Sequence, residues 1–326
     1  FFISVLLFFL GSGIWVALSM IGVSAIGMML FTSRPVGDAM ATTIWGTSSS
    51  WTLTALPLFV WMGEILFRTK LSENLFKGLS PWMQKLPGGL IHVNVVGCAL
   101  FAAISGSSAA TVATVGKMSI PELRKRNYPE KILLGSLAGS GTLGLLIPPS
   151  IILIIYGVAV QESIAKLFIA GIIPGIMIAL IFMSYVIIWS SINKKSMPKI
   201  IEEYSFFEKI KRSKQLLPVI ILILAVIGSI YTGIATATEA ASLGVVGALI
   251  LSYFQKSLTL KTFKSSLLGA TKTSCMIAFI LAGSTFLSLA MGFTGLPRNL
   301  ALWIQNMELS PYVLIFVLMI FYIILG

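Results

Sequence analysis

Apolar runs long enough to cross a lipid bilayer recur along this chain from one end to the other, separated only by short polar stretches. A spanning helix takes about 20 apolar residues, and such runs fall near 2–30, 44–66, 132–158, 167–191, 216–233, 236–254 and 265–293. With 57% of 326 residues hydrophobic and only 10% charged, no soluble core would hide the apolar surface, so the solvent is lipid. The fold class expected is an all-α polytopic membrane protein, with 1–326 as a single membrane domain. Phe1 stands where a Met would, and the apolar run up to Gly326 has no cap, so both ends read as cut and the domain as truncated at the C-terminus. A signal peptide would account for the first ten residues but not for the later runs, so they belong to the first span.

The formal charge of +12 raises nucleic acid as a partner. The basic residues, however, sit between apolar runs without interleaved aromatic platforms, and topology explains them better. Lys and Arg accumulate in cytoplasmic loops. Loops 68–89, 117–131, 194–214 and 255–272 hold four, five, seven and four of them, or 20 of 23, leaving only Arg34, Lys166 and Arg298 outside. This asymmetry places the N-terminus in the cytoplasm. Cys98 and Cys275 lie far apart in apolar segments, without metal or redox spacing.

Because the loops on both sides of 90–116 are basic, that segment must enter and leave on one face. An apolar arm, 92–104, reaches Ser105-Gly106-Ser107-Ser108, and small residues over 109–116 return. A re-entrant hairpin over about 88–116 is expected, and irregular backbone at membrane depth survives only where protein buries it or it lines a cavity. An internal repeat is expected as well. Gly13-Ile14 opens a span with Ala17, Ser19, Gly22 and Val23, and Gly233-Ile234 opens one with Ala237, Ala240, Gly244 and Val245. The same shift lays the hairpin arm on 312–326. The parts are then a first repeat over 1–191, a cytoplasmic amphipathic segment and connecting helix over 194–233, and the start of a second, inverted repeat over 234–326.

Within the run 132–158, Gly139-Ser140-Gly141-Thr142 leads into Leu146-Ile147-Pro148-Pro149-Ser150. Two adjacent prolines remove two amide hydrogens and clash with carbonyls one turn back, so the helix must break there. The freed carbonyls need a partner in lipid, which a cation, a ligand or another segment supplies. Hard oxygens suit sodium as they suit calcium and magnesium, and the Ser105 and Ser108 hydroxyls with the Gly144 and Ile147 carbonyls form a candidate cage. The competing possibility is a packing kink, with each serine bonded to its own backbone.

At these residues the chain resembles a known family. Ser-Gly-Ser-Ser-Ala-Ala-Thr-Val-Ala at 105–113, Gly-Thr-Leu-Gly-Leu-Leu-Ile-Pro-Pro-Ser at 141–150, Phe-Ile-Ala-Gly-Ile-Ile-Pro-Gly at 168–175 and Ala-Thr-Glu-Ala-Ala at 237–241 look like the large membrane subunit of TRAP (tripartite ATP-independent periplasmic) transporters. Thr54-Ala55-Leu56-Pro57-Leu58-Phe59 with Met62-Gly63-Glu64 fits too. The resemblance implies a non-enzymatic, sodium-coupled importer of organic acids, sialic acid and C4-dicarboxylates among them, in the bacterial inner membrane. It implies an elevator mechanism, a small four-helix membrane subunit, separate or fused, and a periplasmic substrate-binding protein. It puts the first sodium site on Ser105, Ser108, Gly144, Ile147 and Pro149, the last three through backbone carbonyls. Ser107, Ser140, Thr142 and Ser150 are the candidate solute contacts. The family's second sodium site falls largely beyond Gly326.

Other polar residues have plainer roles open to them. Glu239, in the first turn of a span, either lines a solute path or complements the helix dipole. Glu64 pairs with Arg68 one turn on. The seven tryptophans gather toward span ends as interfacial anchors. Residues 194–214, with Glu202, Glu203 and Glu208 among lysines, read as a helix lying on the anionic cytoplasmic surface. An intramembrane serine hydrolase with Ser105 or Ser108 as nucleophile and His92 as base is one alternative, but no carboxylate is in place to orient His92. A divalent-anion symporter working without a binding protein is another; its usual Ser-Asn-Thr hairpin pattern is absent.

Overall fold

A computed structural model describes residues 1–68, 71–198, 204–214 and 216–325, and every regular element among these residues is a helix. Part of the predicted amphipathic stretch, with Glu202 and Glu203, lies outside the described residues. The helices used below are α1 (Phe2–Gly11), α2 (Val16–Phe31), α3 (Val36–Ser48), α4 (Ala55–Phe67), α5 (Leu71–Met83), α6 (Ile91–Ser105), α7 (Ser108–Lys125) and α8 (Glu130–Gly141). They continue as α9 (Ile151–Val160), α10 (Ile164–Ile192), α11 (Phe206–Ser213), α12 (Leu217–Tyr231), α13 (Ala237–Phe254), α14 (Leu260–Phe293), α15 (Leu296–Gln305) and α16 (Pro311–Leu325). By length and composition, α10, α13 and α14 are each able to cross a bilayer alone, and α3 and α4 reach that length only together.

The single span expected over 2–30 is two helices. The rings of Phe1 and Phe31 meet at 5.1 Å, Phe2 packs against Gly27 and Phe9 against Gly22, so α1 and α2 run antiparallel. The cause is local: Gly13 adopts φ +81°, a left-handed conformation that favours glycine, and the Ser12 hydroxyl donates to the Phe9 carbonyl at 2.8 Å. The single crossing expected over 2–30 is therefore a helical hairpin instead, and α1, with ten residues, is too short to cross a bilayer alone. The apolar stretch expected over 44–66 is divided between two helices, α3, which begins at Val36, and α4. In α3 the Thr42, Thr43 and Thr47 hydroxyls each donate to a carbonyl one turn back, at 2.7, 2.7 and 2.9 Å, so a helix forms where the sequence is polar.

The contacts divide the chain into two compact units, residues 1–49 with 277–326 and residues 50–276. In the first, Phe2, Val23, Met28, Phe286 and Ala290 form a buried cluster, the Thr47 and Thr285 hydroxyls lie 3.1 Å apart, and the Arg34 guanidinium sits 4.3 Å over the Phe293 ring. In the second, α6 is the hub, packed on α4, α5, α7, α8 and α10. Between membrane helices lipid competes for every apolar contact, so close packing through small residues and interhelical hydrogen bonds does the work. The buried Asn94 of α6 accordingly donates to Leu133 O at 3.2 Å and Ser136 Oγ at 3.0 Å on α8.

At a shift of about 220 residues, α1 falls on α12, α2 on α13, α5 on α15 and α6 on α16. Gly13 falls on Gly233, which has φ +72° in the equivalent turn.

The charge pattern predicts which loops face outward. With exposed Cys275 replaced by Ser, a membrane-impermeant thiol reagent added to intact cells is expected to label cysteines at positions 34, 166 and 298 but not at 211 or 261. Strong labelling at 211 would overturn the topology.

Candidate functional site

The hairpin tip is built from one glycine and three hydroxyls. Helix α6 stops at Gly106 (φ +58°), whose N–H returns to Ala102 O at 2.9 Å. Ser107 is extended and caps α7, its hydroxyl accepting from Ala110 N at 3.4 Å. Thr111 Oγ1 and Ser105 Oγ lie 2.9 Å apart and both reach Ser107 O, at 2.8 and 3.3 Å, so the two hydroxyls share that carbonyl and each other. Ser105 Oγ in turn accepts from Ser107 N at 3.3 Å. Ser105 is therefore largely satisfied within the tip, whereas Ser108 Oγ is buried with no hydrogen-bond partner among the described residues. Thr111 was not among the residues singled out from sequence; its place one turn after the cap Ser107 was the signal for it.

The broken helix supplies the other half. Helix α8 ends at Gly141, a 3-10 turn covers Thr142–Leu145, and α9 begins at Ile151. Pro148 and Pro149 have no N–H, so the carbonyls four residues earlier, on Gly144 and Leu145, lose their helical donors. Ser150 Oγ replaces one of them, donating to Leu145 O at 2.7 Å. No donor reaches Gly144 O among the described residues. Tip and break are in contact: a Cβ at Gly144 would lie 2.9 Å from Ser108 N, 3.0 Å from Ser107 C and 3.1 Å from Ser108 Cα, and Ile151 N donates to Gly106 O at 3.2 Å. A Cβ at Gly106 would lie 2.7 Å from Pro149 O, and Gly63 of α4 backs Ser105 just as tightly.

The junction thus gathers Ser105, Ser108, Gly144 and Pro149. The Ile147 side chain packs toward Gly175 of α10, which leaves the part expected of its carbonyl untouched. Of the candidate solute contacts, Ser140 is fully buried and donates to Ser136 O, exposed Thr142 donates to Gly139 O at 2.7 Å, and Ser150 and Ser107 are engaged as described. Each of these hydroxyls has a partner in its own backbone. At the base of the hairpin, His92 Nε2 lies 2.8 Å from Pro87 O, and Tyr128 Oη accepts from Leu90 N at 3.1 Å. Burial pushes the Tyr128 phenol above its ordinary pKa, so it stays neutral and holds the base as a hydrogen-bonding group. His92 lies thirteen residues along α6 from Ser105, about 20 Å at 1.5 Å per residue. A nucleophile and its base need to be within about 3 Å, so the hydrolase alternative fails on geometry. Glu239 closes a capping box with Thr236, accepting from its N–H and its hydroxyl at 2.8 Å each, and Glu64 accepts from Arg68 at 2.8 Å.

What remains at the junction is oxygen: one buried hydroxyl, on Ser108, and one carbonyl, on Gly144, each without a hydrogen-bond partner among the described residues. Such a donor set suits a hard monovalent or divalent cation and offers nothing to a soft metal.

Residues 2–326 match the family described as "Tripartite ATP-independent periplasmic transporter, DctM component". The chain is 33% identical over 304 residues to the C4-dicarboxylate TRAP transporter large permease protein DctM of Pseudomonas aeruginosa, covering 93% of this chain and 70% of that one. It is 31% identical over 318 residues to the sialic acid TRAP transporter large permease protein SiaM of Vibrio cholerae, covering 97% and 73%. To the isethionate TRAP transporter permease protein DctMQ of Oleidesulfovibrio alaskensis it is 29% identical over 321 residues, covering 98% of this chain and 50% of that longer one.

Proposed function

The chain belongs to the DctM family of tripartite ATP-independent periplasmic transporters, and from that premise we propose that it imports an organic acid across the bacterial inner membrane, coupled to sodium entry. A periplasmic substrate-binding protein delivers the solute, and a small membrane subunit, separate or fused, completes the permease. The relatives are named for C4-dicarboxylates, sialic acid, isethionate and 2,3-diketo-L-gulonate. All are small organic anions, which supports that class for this chain. The shift that aligns α1, α2, α5 and α6 with α12, α13, α15 and α16 supports inverted repeats, and a hairpin and a broken helix joined at their tips suit a unit that moves as one body in an elevator. A divalent-anion symporter that dispenses with a binding protein is disfavoured by the family assignment.

The observation that supports sodium coupling is that an unpartnered Ser108 hydroxyl and a Gly144 carbonyl without a donor belong to the same tip-and-break junction. Ser108 Oγ, Gly144 O and Ser105 Oγ would hold the ion, with the Pro149 carbonyl alongside. The Ile147 carbonyl stays in the set on the family resemblance alone. The ion supplies positive charge that ties the tip to the break while an anion is carried.

The full-length permease and its small subunit in proteoliposomes, with binding protein in excess, provide the test. Uptake of succinate and of N-acetylneuraminate is measured against sodium concentration for Ser105→Ala and Ser108→Ala. A lost ligand of this kind costs about 1–3 kcal/mol, so the apparent sodium affinity should fall about fivefold to a hundredfold. Ser4→Ala, on an exposed face of α1, should leave it unchanged. Unaltered sodium dependence in both hairpin variants would sink the site and leave a tightly packed kink.

A further inference from the structure

Below the hairpin tip lies a cavity of about 920 Å³, and its lining comes from all four of the loops that the charge pattern assigns to the cytoplasm. Those loops are scattered through the sequence, and their convergence on one space makes it open to the cytoplasmic side. Arg68, Lys77, Lys117, Arg126 and Arg212 line it, against the single carboxylate of Glu122. Arg68 and Arg126 are partly neutralised by Glu64 and Glu122, at 2.8 and 3.8 Å, and Arg212 lies 4.3 Å over the Tyr204 ring. Lys117 is exposed in the cavity and in no ion pair among the described residues. It sits on α7, the returning arm of the hairpin, nine residues from Ser108 and about 14 Å below it along the helix. Thr114, between them on the same helix, also lines the cavity. The arm therefore runs from the candidate ion site directly into a positively charged chamber.

We propose that this chamber is a second anion site, a cytoplasmic vestibule in which Lys117 and Arg212 hold a soluble carboxylate on its way off the hairpin. The inference rests on the organic-acid reading above and adds a place and residues to it. A cleft lined by one sign of charge between low-dielectric walls raises the local concentration of the opposite ion by about 10-fold to 1,000-fold. In such a chamber a released carboxylate dwells, and its accumulation in the cytoplasm slows further import by occupying the exit. Lys117 matters most because it rides on the arm that carries the tip, so its charge moves with the solute's own platform.

The charge of the chamber can be read without any transport. In the full-length chain with Cys275→Ser, Met118→Cys places a thiol in the lining, beside Lys117. In inside-out vesicles, its reaction rates with a sulfonate and with a trimethylammonium methanethiosulfonate are compared, each normalised to a free thiol. The anionic reagent should be favoured about tenfold, and Lys117→Gln with Arg212→Gln should bring the ratio close to unity. Millimolar succinate should slow the labelling, in phosphatidylcholine vesicles and in vesicles containing phosphatidylglycerol alike. A ratio of one in the unmutated lining, or no protection by succinate, would overturn the proposal. So would slow labelling confined to phosphatidylglycerol vesicles, which would assign the chamber to a lipid headgroup. If labelling behaves as expected but the reconstituted transporter takes up no carboxylate, the vestibule stands and the transport reading falls.

Discussion

Gly144→Ala is expected to reduce sodium-driven uptake by about a hundredfold or more while leaving the helices in place. The added Cβ would stand 2.9–3.1 Å from Ser108 N, Ser107 C and Ser108 Cα. All three are backbone atoms of the hairpin tip, which have no rotamer to retreat into. Overpacking a tight site costs about 1–3 kcal/mol, and more where nothing can yield. Relief comes only by sliding the tip away from the break, which draws Ser108 away from Gly144, and about 1.4 kcal/mol of lost ion binding is a factor of ten. Gly135→Ala is the control. It lies in α8, ahead of the break, and a methyl group added there would meet nothing within 4 Å. Alanine at that position should be neutral or stabilising by up to about 1 kcal/mol. Uptake against sodium and thermal unfolding in detergent, measured on both variants, separate ion binding from folding. Normal sodium dependence in Gly144→Ala would show that the close approach has no bearing on the ion.

The same junction shows how far sequence reasoning reaches. Adjacent prolines dictate a break wherever they fall, because the missing N–H groups are a covalent fact, and Ser-Gly-Ser-Ser between two basic loops forces a turn back to the same face. The partition of hydroxyls was not legible. Ser105 and Ser108 are equivalent as residue types, and only the fold reveals that Thr111 takes up Ser105 and leaves Ser108 alone. Nor was the turn between α1 and α2, since an apolar count over 2–30 is blind to a glycine at φ +81°. Likewise α7 continues through Pro121 to Lys125, past the expected end near 116. Periodicity and charge speak for whole segments, whereas these features depend on single backbone angles and on which side chain arrives first.

Pro148→Ala is expected to make the protein more stable and the transporter worse. An interior proline costs a helix about 3 kcal/mol, so restoring an N–H at 148 favours extending α8 up to that residue, where Pro149 ends it. That N–H sits four residues after Gly144, the position from which a helical donor reaches the Gly144 carbonyl. The carbonyl assigned to sodium would then be quenched internally, with a loss of about 1–3 kcal/mol of ion affinity, or a fivefold to hundredfold rise in the sodium needed. Pro149→Ala restores a donor to Leu145 O instead, a carbonyl that Ser150 Oγ already serves at 2.7 Å. Its effect on sodium dependence should be smaller, though both variants regain helix. The two prolines thus separate two explanations of the break. If the kink matters only for packing, the two substitutions should cost alike, and Pro149→Ala should match Pro148→Ala in sodium dependence. If the break exists to keep one carbonyl free, thermal stability rises in both while the sodium requirement climbs steeply in Pro148→Ala alone, because a site of this kind trades folding stability for an unsatisfied oxygen.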